Sequence, residues 1–330
     1  MLSKQRAFEI AFGRHPSPGE LDRLHQLGLA DPESDTSQIR SVINCFDRQT
    51  LPTPITVRFT ERDLETVQCG TFRLVLDRHD LAVSRGIIES RDYEPHLSGF
   101  LRRTVRPGMT AVDIGANVGF YTMLLGELVE DQGRVLAFEP NTENCRLLML
   151  SIEANGFKNV NLYPFALSVT TGATCFTSAV GTNGQFRVNS RETLVHPNCL
   201  VVPTTRLDQI ISEQVDFIKA DVEGAEYLAF SGGEGLIRRF RPIITSEFSL
   251  EMLQRVSGIS GANYLRWMRN LGYRAYTLGR TDTLVEEIGD IDEYLSNWGD
   301  FYRIEDIAFF PLESDFLPSW SIPPSGRGPD

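Results

Sequence analysis

The chain has 330 residues, 41% of them hydrophobic and 23% charged, with a formal net charge of −12 at pH 7. This leaves room for one large soluble domain plus an appendage, and it argues against a nucleic-acid partner, which needs a concentrated positive face. The five cysteines (Cys45, Cys69, Cys145, Cys175 and Cys199) are scattered with no CxxC pair, which excludes a disulfide framework or a zinc signature and suits a reducing compartment.

The N-terminus lacks the apolar core of a signal peptide, and no later run of 18 apolar residues could span a bilayer. A cytoplasmic location and no membrane span are therefore expected. Ala7, Phe8, Ile10, Ala11 and Phe12 share a helical face, and "SPGE" (17–20) has the spacing of a capping box before Leu21, Leu24 and Leu27. The polar "ADPESDTSQ" (30–38) and the stiff "LPTP" (51–54) then separate a helical N-terminal module, residues 1–50, from the main domain, residues 51–315. "TVQCGTFRLVLD" reads as a hairpin and "YEPHLSGFLRRTV" as a helix.

Strands and helices then alternate: "TAVDIGA", a helix to Leu128, "RVLAFEP", a helix over 141–155, and "VNLYPFAL". After a polar loop come "VDFIKADVEG", a helix over 225–238, "PIITSEFS", a helix near 262–270, "YRAYTLG" and "IAFFPLE". Apolar strands separated by helices imply an α/β fold with a mainly parallel sheet covered on both faces. Residues 316–330, ending "PPSGRGPD", read as a flexible tail. The long polar segment 178–200 reads as either a lid over an acceptor or a surface insertion.

The decisive stretch is "AVDIGANVGFYT" (111–122), a strand, a tight glycine turn and a helix start. A Walker loop would end in Gly-Lys-Ser or Gly-Lys-Thr, which is absent. A dinucleotide loop needs bare backbone facing the pyrophosphate; here two glycines of that pattern are missing and Asp113 brings negative charge. S-adenosylmethionine (SAM) has no phosphate and carries two cationic groups, so a carboxylate near the turn attracts it. Gly115 and Gly119 are expected to leave room for it. Glu139, ending the second strand, is placed to accept both ribose hydroxyls, and Asn141 to cap the next helix.

"YEPHL", "DIGANVGFYT", "AFEPN", "LDQII", "DFIKADVEGAE" and "PIITSEFS", in that order, resemble the FkbM family of SAM-dependent methyltransferases over roughly residues 85–280. The resemblance implies a Rossmann-like, seven-stranded class I methyltransferase sheet whose last strand is antiparallel. It also implies O-methylation of sugars, glycolipids or secondary metabolites. Carried onto this chain, it implies that Asp113, Gly115, Ala116, Asn117, Gly119, Glu139, Pro140 and Asn141 line the cofactor site. Phe165 and Ala166 would lie near the adenine, and Tyr93 and Glu94 would close over the methionine end.

A hydroxyl acceptor needs a base, or a metal that lowers its pKa. Candidates at the ends of the fourth and fifth strands are Asp221, Glu223 and Glu247, acting as a base with supporting groups or as a magnesium site held by Asp221 and Glu247. Glu223 could instead cap the following helix, and Lys219 could neutralise the carboxylates. The five histidines fall outside the strand ends, with His196 the best outsider among them. The leading reading is methylation of a hydroxyl on a glycan, glycolipid or sugar nucleotide. Its alternatives are methylation of a polyketide or peptide metabolite and a catalytically silent SAM-binding scaffold. A homo-oligomer is compatible with the sequence.

Overall fold

The computed structural model describes residues 63–314, apart from residues 82, 178–184, 187–198, 280–284 and 300–302. The N-terminal helical module, the tail and His196 lie outside the described residues. The chain first forms a hairpin, β1 (Leu64–Cys69) and β2 (Phe72–Asp77), turned by Gly70 at φ +58°. Helices α1 (Ser84–Ser90) and α2 (Pro95–Thr104) follow. The alternating series begins with β3 (Thr110–Ile114), α3 (Phe120–Val129), β4 (Arg134–Phe138), α4 (Thr142–Asn155) and β5 (Val160–Tyr163).

Local sequence explains these elements. In α3 only Glu127 and Leu128 escape burial, as expected for a helix apolar on nearly every side. Helix α4 starts where the Asn141 side chain accepts the Glu143 amide and stops at Gly156 in the left-handed region, φ +70°. The hairpin is fastened to α4 by side chains: Ser151 accepts the Val75 amide, and Asn155 bonds both main-chain groups of Arg73.

The expected strand "VNLYPFAL" divides at Pro164, which has no N–H to donate. After it β6 (Ala166–Leu167) leaves the main sheet to pair with β9 (Cys199–Thr205), which also pairs β7 (Gly172–Thr177), itself joined to β8 (Gln185–Phe186). This small sheet occupies much of what reads in sequence as a polar loop. The pairing of β7 with β9 spans a long connection, so no short turn signal announces it. Residues 185–186 and 199–200 of the expected lid are thus strand, and the rest of it lies outside the described residues.

The chain continues through α5 (Leu207–Ile210), β10 (Phe217–Ala220), α6 (Glu226–Ser231), α7 (Glu234–Phe240) and β11 (Ile243–Phe248). The single helix expected over 225–238 is two, because Gly232 and Gly233 interrupt it. A Cβ at Gly232 would lie 2.1 Å from the Ser168 carbonyl oxygen, and one at Gly233 would lie 2.8 Å from the Leu207 side chain. Then come α8 (Leu250–Met252), a π-helical turn (Leu253–Ser257), α9 (Gly261–Asn270), β12 (Tyr273–Leu278), β13 (Val285–Glu287), α10 (Ile291–Ser296) and β14 (Glu305–Pro311).

The main sheet has the order β13-β12-β14-β11-β10-β3-β4-β5. Strands β11, β10, β3, β4 and β5 run parallel, while β14 lies antiparallel between β11 and β12. The expected class I sheet with an antiparallel last strand is present, with β13 added as an eighth strand at the edge. One apolar cluster joins a face of the sheet to the hairpin, α2 and α3; another joins the opposite face to α6, α7 and α9. No helix among the described residues is long and apolar enough to cross a membrane.

Candidate active site

Chain order runs from β3 outward to β5, then returns to β10 on the other side of β3. The carboxyl ends of β3, β4 and β10 therefore meet where strand order reverses, the usual ligand position in open α/β sheets. A cavity of about 620 Å³, counting its open mouth, lies there. Its apolar lining includes Ile114, Phe138, Phe165, Ala166, Leu167 and Val222, and its polar lining includes Asn117, Glu139, Asn144, Asp221 and Glu223.

The β3–α3 turn forms one wall. Gly115 and Ala116 amides donate to the Phe138 carbonyl at 2.9 and 3.0 Å, tying the turn to β4. Asn117 replaces a glycine but still adopts a left-handed conformation, φ +50°, which asparagine tolerates better than most residues. Its amide donates to Glu139 Oε2 at 2.8 Å. Glu139 Oε1 accepts the Asn141 amide at 2.8 Å and Asn144 Nδ2 at 3.4 Å. Glu139 is only 4% exposed, and burial pushes its pKa up to about 7 despite these donors.

The two glycines serve packing rather than leaving room for a ligand. A Cβ on Gly115 would sit 2.0 Å from the Asp221 carbonyl oxygen, and one on Gly119 would sit 2.3 Å from Leu148 Cδ1. Gly115 still borders the cavity with its backbone, as does Pro140. Ala116 is buried beside the turn, and Asn141 is occupied by its cap and by Glu139. Phe165 follows the third strand, which ends at Tyr163, and Ala166 opens β6.

Asp113 does not line the cavity. It is fully buried behind the turn, accepts the Thr122 hydroxyl at 2.6 Å and lies 3.5 Å from Lys219 Nζ. In-register pairing of β3 with β10 sets these two side chains opposite each other. Lys219 also lies 3.4 Å from Asp221 Oδ2, donates to the Gly115 carbonyl at 3.3 Å and stands 4.9 Å from the centre of the Tyr121 ring. Burial alone would lower the Lys219 pKa, but Asp221, Asp113 and Glu94 outweigh it and raise it. Lys219 is thus a fixed cation that joins the first turn to the second.

The second turn does not continue the β10 strand, which stops at Ala220. Glu223 is left-handed at φ +49°, yet it lines the cavity together with Asp221. Burial, then Asp221 and Glu226, push its pKa up to about 8. It caps no helix. The turn is instead held by Glu226, whose Oε1 accepts the Val222 amide at 3.0 Å and the Gly224 amide at 3.3 Å.

On β11, Glu247 faces Asp306 of β14 in register, and Asp306 bonds His96 Nε2 of α2 at 2.7 Å. Glu247 Oε2 is buried without a hydrogen-bond partner. Its pKa is raised well above the usual carboxylate range by burial, then by Asp221, Glu226 and Asp306. Glu94 completes this group. It accepts the Tyr121 hydroxyl at 2.7 Å, and burial followed by repulsion from Asp221 raises its pKa. Tyr93 packs on Phe120 and Tyr121. Neither Tyr93 nor Glu94 borders the cavity itself.

Asn144, Glu226, Asp306 and His96 were not among the expected site residues. Asp306 is reached because an antiparallel strand brings its N-terminal end to the edge where its neighbours finish. His96 was readable only through its place beside Tyr93 and Glu94 in "YEPHL". Among the described residues no group of three or more His, Cys, Asp or Glu side chains is arranged to hold a metal ion, so the expected magnesium site at Asp221 and Glu247 lacks a ligand set.

Residues 113–275 match the methyltransferase FkbM domain. This region of the chain belongs to the FkbM methyltransferase family. No curated protein sequence matches the chain. Among solved structures, methyltransferase FkbM from Methylobacillus flagellatus KT is 15% identical with a TM-score of 0.40, over 64% of this chain and 50% of that one. The chain therefore spans about half the length of that protein. Precorrin-6y C5,15-methyltransferase from Geobacter metallireducens GS-15 is 12% identical, with 72% and 93% of the two chains covered and a TM-score of 0.37. M. jannaschii TYW2 in complex with AdoMet is 11% identical, with 78% and 90% covered and a TM-score of 0.38.

Proposed function

We propose that the protein is a SAM-dependent O-methyltransferase whose acceptor is a sugar hydroxyl of a glycan, glycolipid or sugar nucleotide. The observation that carries the reading is one cavity walled by Glu139 at the end of β4 and by Asp221 and Glu223 at the end of β10. A buried carboxylate beside aromatic and aliphatic lining suits a nucleoside: the apolar part takes the base and the carboxylate takes the ribose diol. The three donors on Glu139 leave lone-pair capacity on its two oxygens, and the Asn144 contact, at 3.4 Å, is the weakest to displace.

Gly115, Asn117, Glu139 and Pro140 would hold the ribose side, with Phe165 and Ala166 beside the adenine. Glu94 would offer negative charge to the methionine end, with Tyr93 packed behind it. Asp113 acts indirectly, by holding Lys219 and with it both turns. Bound SAM supplies a methyl group already activated by a sulfonium charge.

The chain must then orient the acceptor and take its proton. Asp221 lies 3.4 Å from the Lys219 ammonium, which orients it at the end of β10. Glu223 and Glu247 are pushed toward higher pKa, which makes their ionised forms stronger bases. Asp221, Glu223 and Glu247 together offer several acceptor oxygens, which suits a polyhydroxylated substrate. Isothermal titration should give micromolar SAM affinity and no NAD binding, and labelled SAM should transfer methyl to bacterial glycan fragments. Tight NAD binding without SAM binding would overturn the reading.

A further inference from the structure

We infer that Glu226, helped by Ser257, is a positioning residue that aims Glu223 into the cavity through the Asp221–Ala225 turn. The inference rests on the SAM reading of the cavity only for its functional consequence.

Glu223 holds a left-handed backbone at φ +49°, followed by Gly224 at φ +98°. A non-glycine residue persists there only when its surroundings over-determine it. The surroundings do so here. The amides on both sides of Glu223, those of Val222 and Gly224, donate to one oxygen of Glu226. The Ser257 hydroxyl donates to the Gly224 carbonyl at 2.5 Å, and the Ala225 amide to the Val222 carbonyl at 3.1 Å.

Gly224 has no room for a side chain, since a Cβ would lie 2.4 Å from the Met252 carbonyl oxygen. Ser257 closes the π-helical turn that follows Met252, and single π-helical turns occur frequently at functional sites. Glu226 is 1% exposed and does not border the cavity, whereas Glu223 does. Any influence of Glu226 on a ligand therefore passes through the turn.

The test compares SAM affinity for wild type, Glu226→Ala, Glu226→Gln, Glu223→Ala and the Glu226→Ala/Glu223→Ala pair, with amide exchange followed at Val222 and Gly224. Losing two amide contacts to a buried carboxylate should weaken SAM by about tenfold in Glu226→Ala. A glutamine oxygen can replace the lost acceptor, so Glu226→Gln should stay within about threefold of wild type. In the Glu223→Ala background, Glu226→Ala should add less than about twofold, because the two act in series. The Val222 and Gly224 amides should exchange at least about tenfold faster in Glu226→Ala and close to normally in Glu226→Gln. Additive losses, equal damage from Ala and Gln, or unchanged exchange at Gly224 would each overturn the assignment. A wild-type chain that fails to bind SAM would instead sink the reading of the cavity, and the exchange data would still decide the role of Glu226.

Discussion

Two turns build the site, and they solve the same problem differently. Each connects a parallel strand to a helix, contains a left-handed non-glycine residue (Asn117 or Glu223) and a glycine near φ +97° (Gly119 at +96°, Gly224 at +98°). Each is held by a buried carboxylate with a pKa near 7 that accepts backbone amides. In the first turn the carboxylate, Glu139, comes from the neighbouring strand and also faces the cavity. In the second it is Glu226, from the turn's own helix, and it stays behind the wall. The first carboxylate is free to meet a ligand, while the second turn delegates that task to Asp221 and Glu223. The larger share of cofactor affinity should therefore reside in the first turn, and the proton transfer in the second.

The largest expected effect tests the second half of that division. Asp221→Asn and Glu247→Gln keep shape and remove charge, so turnover should fall by roughly 100-fold or more. SAM affinity in Glu247→Gln should change much less. Steady-state rates with labelled SAM check this, and wild-type turnover in both variants would place the base elsewhere. A chelator should leave turnover unchanged, since no metal-ligand set is assembled among the described residues.

Glu139→Ala tests the other half. It removes the acceptor for Asn117 and Asn141 and the proposed contacts to the ribose, so SAM affinity should drop by about 10- to 100-fold. Calorimetric titration measures it. A variant that binds SAM like wild type would deny the first turn its role.

A smaller effect separates the glycines. Gly115→Ala would force Cβ into the Asp221 carbonyl, which is main chain and cannot step aside, so a loss of about 2–4 kcal/mol is expected. Gly119→Ala meets the flexible Leu148 side chain instead, so left-handed strain dominates and the loss should be about 1–2 kcal/mol. Denaturant midpoints rank the two, and the reverse order would mean that the turns are not in contact through Gly115.

The sequence made the first turn far more legible than the second. Glu139 follows an apolar strand two residues before an asparagine cap, so its position was readable from local pattern. Asp113 reads in sequence as a carboxylate that attracts SAM, but its partner Lys219 lies over a hundred residues away, and only in-register pairing shows the charge to be already answered. Glu223 reads in sequence as lying at a strand end or as a helix cap, because nothing in "DVEG" signals a left-handed residue. Glu226 follows in the same stretch, yet a glutamate in a first helical turn is common and gives no sign of reaching back. The parallel character of the central strands followed from alternation, whereas the small sheet of β6 to β9 did not, because its pairings bridge long connections.

The smallest effect sharpens the comparison most, since it reads both carboxylates by pH. Glu139 and Glu226 have pKa values of about 7 in the folded chain against an ordinary 4.5. Between those values the folded chain binds protons that the unfolded chain releases, so stability is greatest at the acid end and declines as pH rises through 7. Glu223, at about 8, extends the decline, more weakly because it is less buried. Asp290 and Glu313 are shifted downward, so their contribution changes only below about pH 4.5 and leaves this window untouched. The melting temperature of the free protein should therefore drop by a few degrees from pH 5 to pH 8, and Glu139→Gln and Glu226→Gln should each flatten part of the slope. SAM reverses the trend for one carboxylate only. Ribose hydroxyls donating to Glu139 favour its ionised form, so the stabilisation that SAM adds should grow from pH 6 to pH 8. That growth should vanish in Glu139→Gln and persist in Glu226→Gln. If both variants lose it, or neither does, the two carboxylates are not divided between ligand and scaffold as the two turns suggest.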